Sequence, residues 1–204
     1  MTDPQGFSRR KFLKGVGVSA LAAGALQGAV PGQTKKDEKA AKEAKAVGPG
    51  PVPIELEING ERHQLEVEPR VTLIDALRNQ LGITGAKKVC DRGVCGACSV
   101  LLDGRAAYAC SILAISAQGR KIETVEGLSK QGRLSKLQQA FVRHDGAQCG
   151  FCTPGFVVAS ESLLRRRSRP SREEVLEGLG GNLCRCGTYK GVTQAVLEAG
   201  GEDQ

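Results

Sequence analysis

Eight cysteines fall into two groups of four, and their spacing is the feature of this chain that points most directly to chemistry. The first group is Cys90-Asp-Arg-Gly-Val-Cys95-Gly-Ala-Cys98, followed at a distance by Cys110. A C-x4-C-x2-C run with one remote cysteine is the spacing that holds a 2Fe-2S cluster through four thiolates. Gly93 and Gly96 let the backbone curl so that its N–H groups reach the sulfurs and offset their negative charge. The second group joins Cys149-Gly-Phe-Cys152 to Cys184-Arg-Cys186. Taken alone, C-x2-C suits zinc, a redox pair or a disulfide. Cys184 and Cys186 cannot bridge each other without strain, and a chain of 204 residues does not need staples to be stable. Structural zinc stays open for both groups, since it too takes four thiolates.

The elements around these loops differ between the two groups. From Ile54 the residues alternate apolar and polar on both sides of Asn59-Gly60, which predicts a β-hairpin with a type I′ turn. Thr72 then reads as an N-cap, with Leu73, Leu77 and Leu81 on one face of a helix that Gly82 closes. A second hairpin turns at Asp103-Gly104, and Ile122 to Val125 supplies a last strand. Beyond residue 128 the pattern becomes helical. Leu134, Leu137, Phe141 and Val142 recur at helix spacing. Thr153-Pro154 opens a helix with Thr as N-cap and Pro at its first position, burying Phe156, Val157, Ser160, Leu163 and Leu164. Ser171 and Glu174 match a capping box, and Gly191 to Ala199 forms the last helix. The expected class is α+β: an N-terminal β-grasp, plant-type ferredoxin-like domain over residues 53–128, then an all-α four-helix 2Fe-2S-binding domain over residues 129–200.

The first fifty residues are of another kind. Ser8-Arg9-Arg10-Lys11-Phe12-Leu13-Lys14 precedes a glycine-broken apolar stretch from Val16 to Val30, too weak for a stable membrane span. It resembles a twin-arginine export signal over residues 1–30, which implies a periplasmic protein exported folded, with any prosthetic group inserted beforehand. Residues 31–52 read as a flexible linker, charged at first and rich in Pro and Gly later. The formal net charge of +7 is concentrated here: residues 51–204 carry 20 basic and 18 acidic side chains. A nucleic-acid partner is therefore not indicated. The run Arg165, Arg166, Arg167, Arg169 reads as the solvated C-terminal end of a helix. His63 and His144 read as surface or helix-end residues. No Ser/His/Asp set, paired carboxylates or phosphate-binding glycine loop is evident, so the chain reads as an electron wire rather than a catalyst.

Three motifs in register, Cys90–Cys98, Gln148-Cys149-Gly-Phe-Cys152-Thr-Pro-Gly155 and Gly181-Asn-Leu-Cys184-Arg-Cys186-Gly-Thr-Tyr189, resemble the iron-sulfur subunit of molybdenum hydroxylases, the xanthine dehydrogenase and aldehyde oxidoreductase family. With the export signal, the likeness is to a periplasmic aldehyde oxidoreductase. The resemblance implies an oxidoreductase whose partner subunit carries a molybdenum-pterin cofactor and the site that oxidises aldehydes or N-heterocycles. It also implies two 2Fe-2S clusters here, held by Cys90, Cys95, Cys98, Cys110 and by Cys149, Cys152, Cys184, Cys186. The second would lie nearer molybdenum, with Gln148 and Cys186 touching the pterin. The first would pass electrons to FAD on a third subunit or to a cytochrome. Cys-Arg-Cys-Gly-Thr-Tyr departs from the Cys-Arg-Cys-Thr-Gly-Tyr order of xanthine dehydrogenases, which leaves the acceptor open. The rival reading is a free-standing exported ferredoxin-like carrier; the second cysteine domain argues against it, because a simple carrier needs only the first.

Overall fold

A computed structural model describes residues 47–129 and 132–201. The twin-arginine segment and most of the linker lie outside these residues. Both hairpins form. Strand β1 (Val52–Ile58) runs antiparallel to β2 (Glu61–Val67), and β3 (Ser99–Leu102) runs antiparallel to β4 (Arg105–Tyr108). Asn59 and Gly60 have φ of 54° and 86°, and Asp103 and Gly104 have 52° and 78°, the left-handed pairs that a type I′ turn needs. Strand β5 (Lys121–Glu123) inserts between the hairpins, parallel to β1 and antiparallel to β3, giving a mixed sheet in the order β2-β1-β5-β3-β4. It stops short of Val125, where the chain turns into a 3₁₀ helix that brings Leu128 into the core.

Thr72 caps the first helix as expected, but the helix is not uniform. One α turn, α1 (Leu73–Asp75), widens into a π turn over Ala76–Gln80. The extra residue in that turn rotates the chain beyond it. Leu73 and Leu77 are therefore fully buried, while Leu81 only flanks the core.

Among the described residues, four further α-helices follow: α2 (Lys136–Arg143), α3 (Thr153–Arg166), α4 (Arg172–Gly178) and α5 (Tyr189–Ala199). The Ser171–Glu174 capping box is complete, and Ser135 with Gln138 makes a second one. Two expectations fail. Leu134 and Val142 do not join the buried face of α2, being 49% and 70% exposed. Thr153 is not the cap of α3: Cys152 takes that place, Thr153 is already helical, and its hydroxyl is buried without a protein partner.

Strand β3 joins the two halves of the fold. All four of its residues are buried. Val100 and Leu102 face one core with Leu56, Leu73 and Leu77, while Leu101 faces another with Phe156, Val157 and Val192. Helix α3 lies on that second face and is buried around most of its circumference. Its Arg165 grips both carboxylate oxygens of Glu123 on β5, at 2.6 and 2.9 Å, so this arginine is a tie to the sheet rather than a solvated cation. At the other end of the helical half, Arg143 of α2 and His144, which caps its C-terminus, pair with Glu198 of α5. No helix among the described residues is long and apolar enough to cross a membrane.

Candidate metal centres

Cys90, Cys95 and Cys98 lie on an irregular loop before β3 that secondary structure alone does not hold, and Cys110 lies on a short 3₁₀ turn after β4 (Ala109–Ser111). Arg78, on the π turn, donates to the carbonyls of Thr84 and Ala86 at 2.7 and 2.8 Å, and the Gly85 amide donates to Glu126 at 2.7 Å. Asp91, Gly93 and Gly96 are all left-handed, and the curl they produce turns amides toward sulfur. Gly93 N–H donates to Cys110 Sγ at 3.2 Å and Val94 N–H to Cys90 Sγ at 3.4 Å. The Arg92 and Val94 amides lower the Cys90 thiol to about 6. Burial instead raises Cys98 to about 12. This loop is thus built to carry negative charge at its mouth and to bury sulfur at its base.

The second group is assembled from two loops, one before α3 and one before α5. Cys149 and Cys186 are exposed, Cys152 is half-buried and Cys184 is buried. The Phe151 amide and the neighbouring Cys186 lower Cys149, whereas burial raises Cys152 to about 12. For Cys186 the Cys149 amide favours the thiolate, but the Cys149 sulfur beside it, together with burial, pushes the thiol up. Burial opposes ionisation of Cys184, yet the Thr188 hydroxyl and amide outweigh it and bring that thiol to about 7. Cys184 N–H donates to Tyr189 Oη at 2.9 Å, and the Tyr189 ring meets Phe156 edge to face. Gln148 is exposed beside Cys149.

The sequence-predicted cysteines therefore come together in their two expected groups. Among the described residues no three His, Cys, Asp or Glu side chains converge as a single-ion site. Each sulfur is influenced by others of its own group: Cys90 by Cys95, Cys98 by Cys95 and Cys110, Cys149 by Cys184 and Cys186, and Cys152 by Cys149 and Cys184. The amides donated to the Cys110, Cys90 and Cys184 sulfurs fit thiolates that hold a metal centre of net negative charge.

The two groups also touch each other. Leu183 N–H donates to the Cys95 carbonyl at 3.0 Å, Asn182 Nδ2 to the Gly96 carbonyl at 3.0 Å, and Tyr108 Oη to the Gly181 carbonyl at 2.9 Å. Leu183 precedes Cys184, so one hydrogen bond completes a bonded path between a cysteine of each group. Sequence reasoning missed Arg78, Tyr108, Asn182 and Thr188. Tyr108 and Asn182 act on residues more than seventy positions away, so no local pattern marks them.

Comparison with known proteins agrees with this geometry. Residues 56–126 match the family described as "2Fe-2S iron-sulfur cluster binding domain", and residues 124–197 match the "[2Fe-2S] binding domain". The chain is 50% identical over 151 residues to the nicotine 6-hydroxylase small subunit of Paenarthrobacter nicotinovorans, covering 74% of this chain and 91% of that one. It is 41% identical over 174 residues to the aldehyde oxidoreductase iron-sulfur-binding subunit PaoA of Escherichia coli K12, covering 77% and 76%. Among solved structures, quinoline 2-oxidoreductase from Pseudomonas putida 86 superposes with a TM-score of 0.71 at 45% identity, over 74% of this chain and 93% of that chain. The aldehyde oxidoreductase of Desulfovibrio gigas superposes with a TM-score of 0.69 at 43% identity, over 73% of this chain but only 17% of its own much longer one. With its two cysteine groups, its mixed sheet and its helices matching these proteins, the chain belongs to the family of iron-sulfur subunits of molybdenum hydroxylases.

Proposed function

We propose that this chain is the electron-transfer subunit of a molybdenum-dependent oxidoreductase acting on aldehydes or N-heterocycles, whose substrate site lies on a partner subunit. The observation that carries this reading is the Leu183 N–H···O=C Cys95 bond, which ties two complete four-thiol groups into one relay. A bound 2Fe-2S centre takes up and returns one electron at a time. Cys90, Cys95, Cys98 and Cys110 hold one centre, in a β-grasp domain over residues 53–128. Cys149, Cys152, Cys184 and Cys186 hold the other, in a four-helix domain over residues 129–200. The exposed Cys149, Cys186 and Gln148 make the helical group the receiving end, where Gln148 and Cys186 meet the partner's molybdenum-pterin. The group around Cys90 delivers electrons onward to an FAD-binding subunit or a cytochrome. Export through the twin-arginine machinery places the complex in the periplasm.

Purification under mild conditions tests this. The protein is expected to co-purify with a molybdenum-containing chain and, when reduced, to show two distinct 2Fe-2S signals by electron paramagnetic resonance. A colourless zinc protein would end the redox reading, and two iron-sulfur signals without any molybdenum partner would favour a free-standing carrier.

A further inference from the structure

Thr188 occupies the N-cap of α5, where a threonine hydroxyl ordinarily accepts a hydrogen bond from an amide of the first helical turn. Here it makes no such bond. Gly187, at φ 81°, turns the chain so that Thr188 faces back toward the cysteine loop. Its Oγ1 lies 3.2 Å from Cys184 Sγ, and its own amide donates to the same sulfur at 3.5 Å. Cys184 is only 7% exposed, so a donor at this sulfur acts with little competition from water. The nearest counterpart in the other group is weaker: Ser111 Oγ stands 3.7 Å from Cys110 Sγ. A hydroxyl withdrawn from helix capping and aimed at a buried cysteine sulfur has a role at that sulfur.

We propose that the Thr188 hydroxyl donates to the Cys184 thiolate and raises the reduction potential of the centre held by Cys149, Cys152, Cys184 and Cys186, making it the better electron acceptor. The inference rests on the proposed electron-transfer function. When one electron arrives from the substrate-oxidising partner, no bond forms or breaks and the hydroxyl proton stays on Thr188. The added charge falls partly on the thiolates, so a donor there stabilises the reduced state more than the oxidised one. Thr188 is in this sense a positioning residue for charge.

The test is a redox titration of the intact complex followed by electron paramagnetic resonance, comparing wild type with Thr188→Val and Thr188→Ser. Valine keeps the shape and removes the donor; serine keeps the donor. The valine variant is expected to lower the electron-uptake equilibrium constant of one signal about tenfold, or ~59 mV for a one-electron couple. Serine should restore it, and the other signal should not move. Because no cap bond is lost, the fold is expected to survive; Thr188→Ala gives a second donor-free variant should valine impair cluster loading. Unmoved midpoints in a donor-free variant would overturn the role of Thr188 while leaving the electron-transfer function intact, as would equal shifts for valine and serine. Absence of any 2Fe-2S signal in the wild type would overturn the function itself, and this inference with it.

Discussion

Arg165 sits in a run of arginines that, read along the chain, is simply a cationic helix end. In the fold its guanidinium is forked onto Glu123 and also holds Glu161 at 2.9 Å. Arg165 keeps the Glu123 carboxyl below its ordinary value of 4.5, against the opposing effect of burial. A carboxyl lowered in the folded state stabilises the protein above its unfolded pKa, and that contribution fades as pH falls through the lower folded value. Glu123→Gln is therefore expected to cost about 1 kcal/mol near neutral pH, the upper range for a partly exposed pair, with the difference from wild type closing below pH 4.5. Urea midpoints measured from pH 7 down to about pH 3 check this; a constant gap across the range would contradict it. The cysteine pattern was legible along the chain because spacing is a local property. Arg165 was not, because its partner Glu123 lies 42 positions away; Arg78 and Thr188 act on near neighbours in the chain, but the loop conformations that aim them are not written in residue type.

Among the elements, the hairpins were the easiest to read, since Asn59-Gly60 and Asp103-Gly104 carry their turn type in their own composition. Strand β3 opens with Ser99 and continues Val100-Leu101-Leu102; the sequence reading placed it in a hairpin, and that it faces two cores emerged only in the fold. Helix ends were harder. The Ser171 box was legible from two residues, but the cap of α3 at Cys152 rather than Thr153 reflects how the second cysteine loop enters the helix. The N-terminal turn of α3 also lies against the first cysteine loop. A β-carbon at Gly155 would collide with the Gly96 carbonyl and stand 3.0 Å from Ala97 Cα. Neither neighbour is a flexible side chain, so Gly155→Ala is expected to destabilise by roughly 2 kcal/mol and to loosen the loop that carries Cys95 and Cys98. Gly50→Ala, with open space around the added carbon, serves as the neutral control. Thermal unfolding and iron content of the two variants would distinguish them; equal behaviour would mean that the two loops are not in rigid contact.

For the whole molecule, the proposed periplasmic location rests on Arg9 and Arg10 in the leading segment. Replacing both by lysine is expected to keep the protein in the cytoplasm with its iron-sulfur absorbance intact, as cell fractionation would report; undiminished export of the variant would remove the basis for this location. The relation between the two cysteine groups belongs to this scale too. Read along the chain, they suggested two successive cluster-binding units. In the structure they share β3, the Arg165–Glu123 tie and the hydrogen bonds from Tyr108, Asn182 and Leu183, so that Cys95 and Cys184 belong to one bonded network. By itself the sequence determined the cysteine spacing, the hairpin turns and the change from sheet to helix, because each is written in spacings of a few residues. Only the tertiary structure decided which sulfurs are buried and how one group reaches the other. Those properties depend on long-range packing and on where water is excluded, and neither has a local signature in the chain.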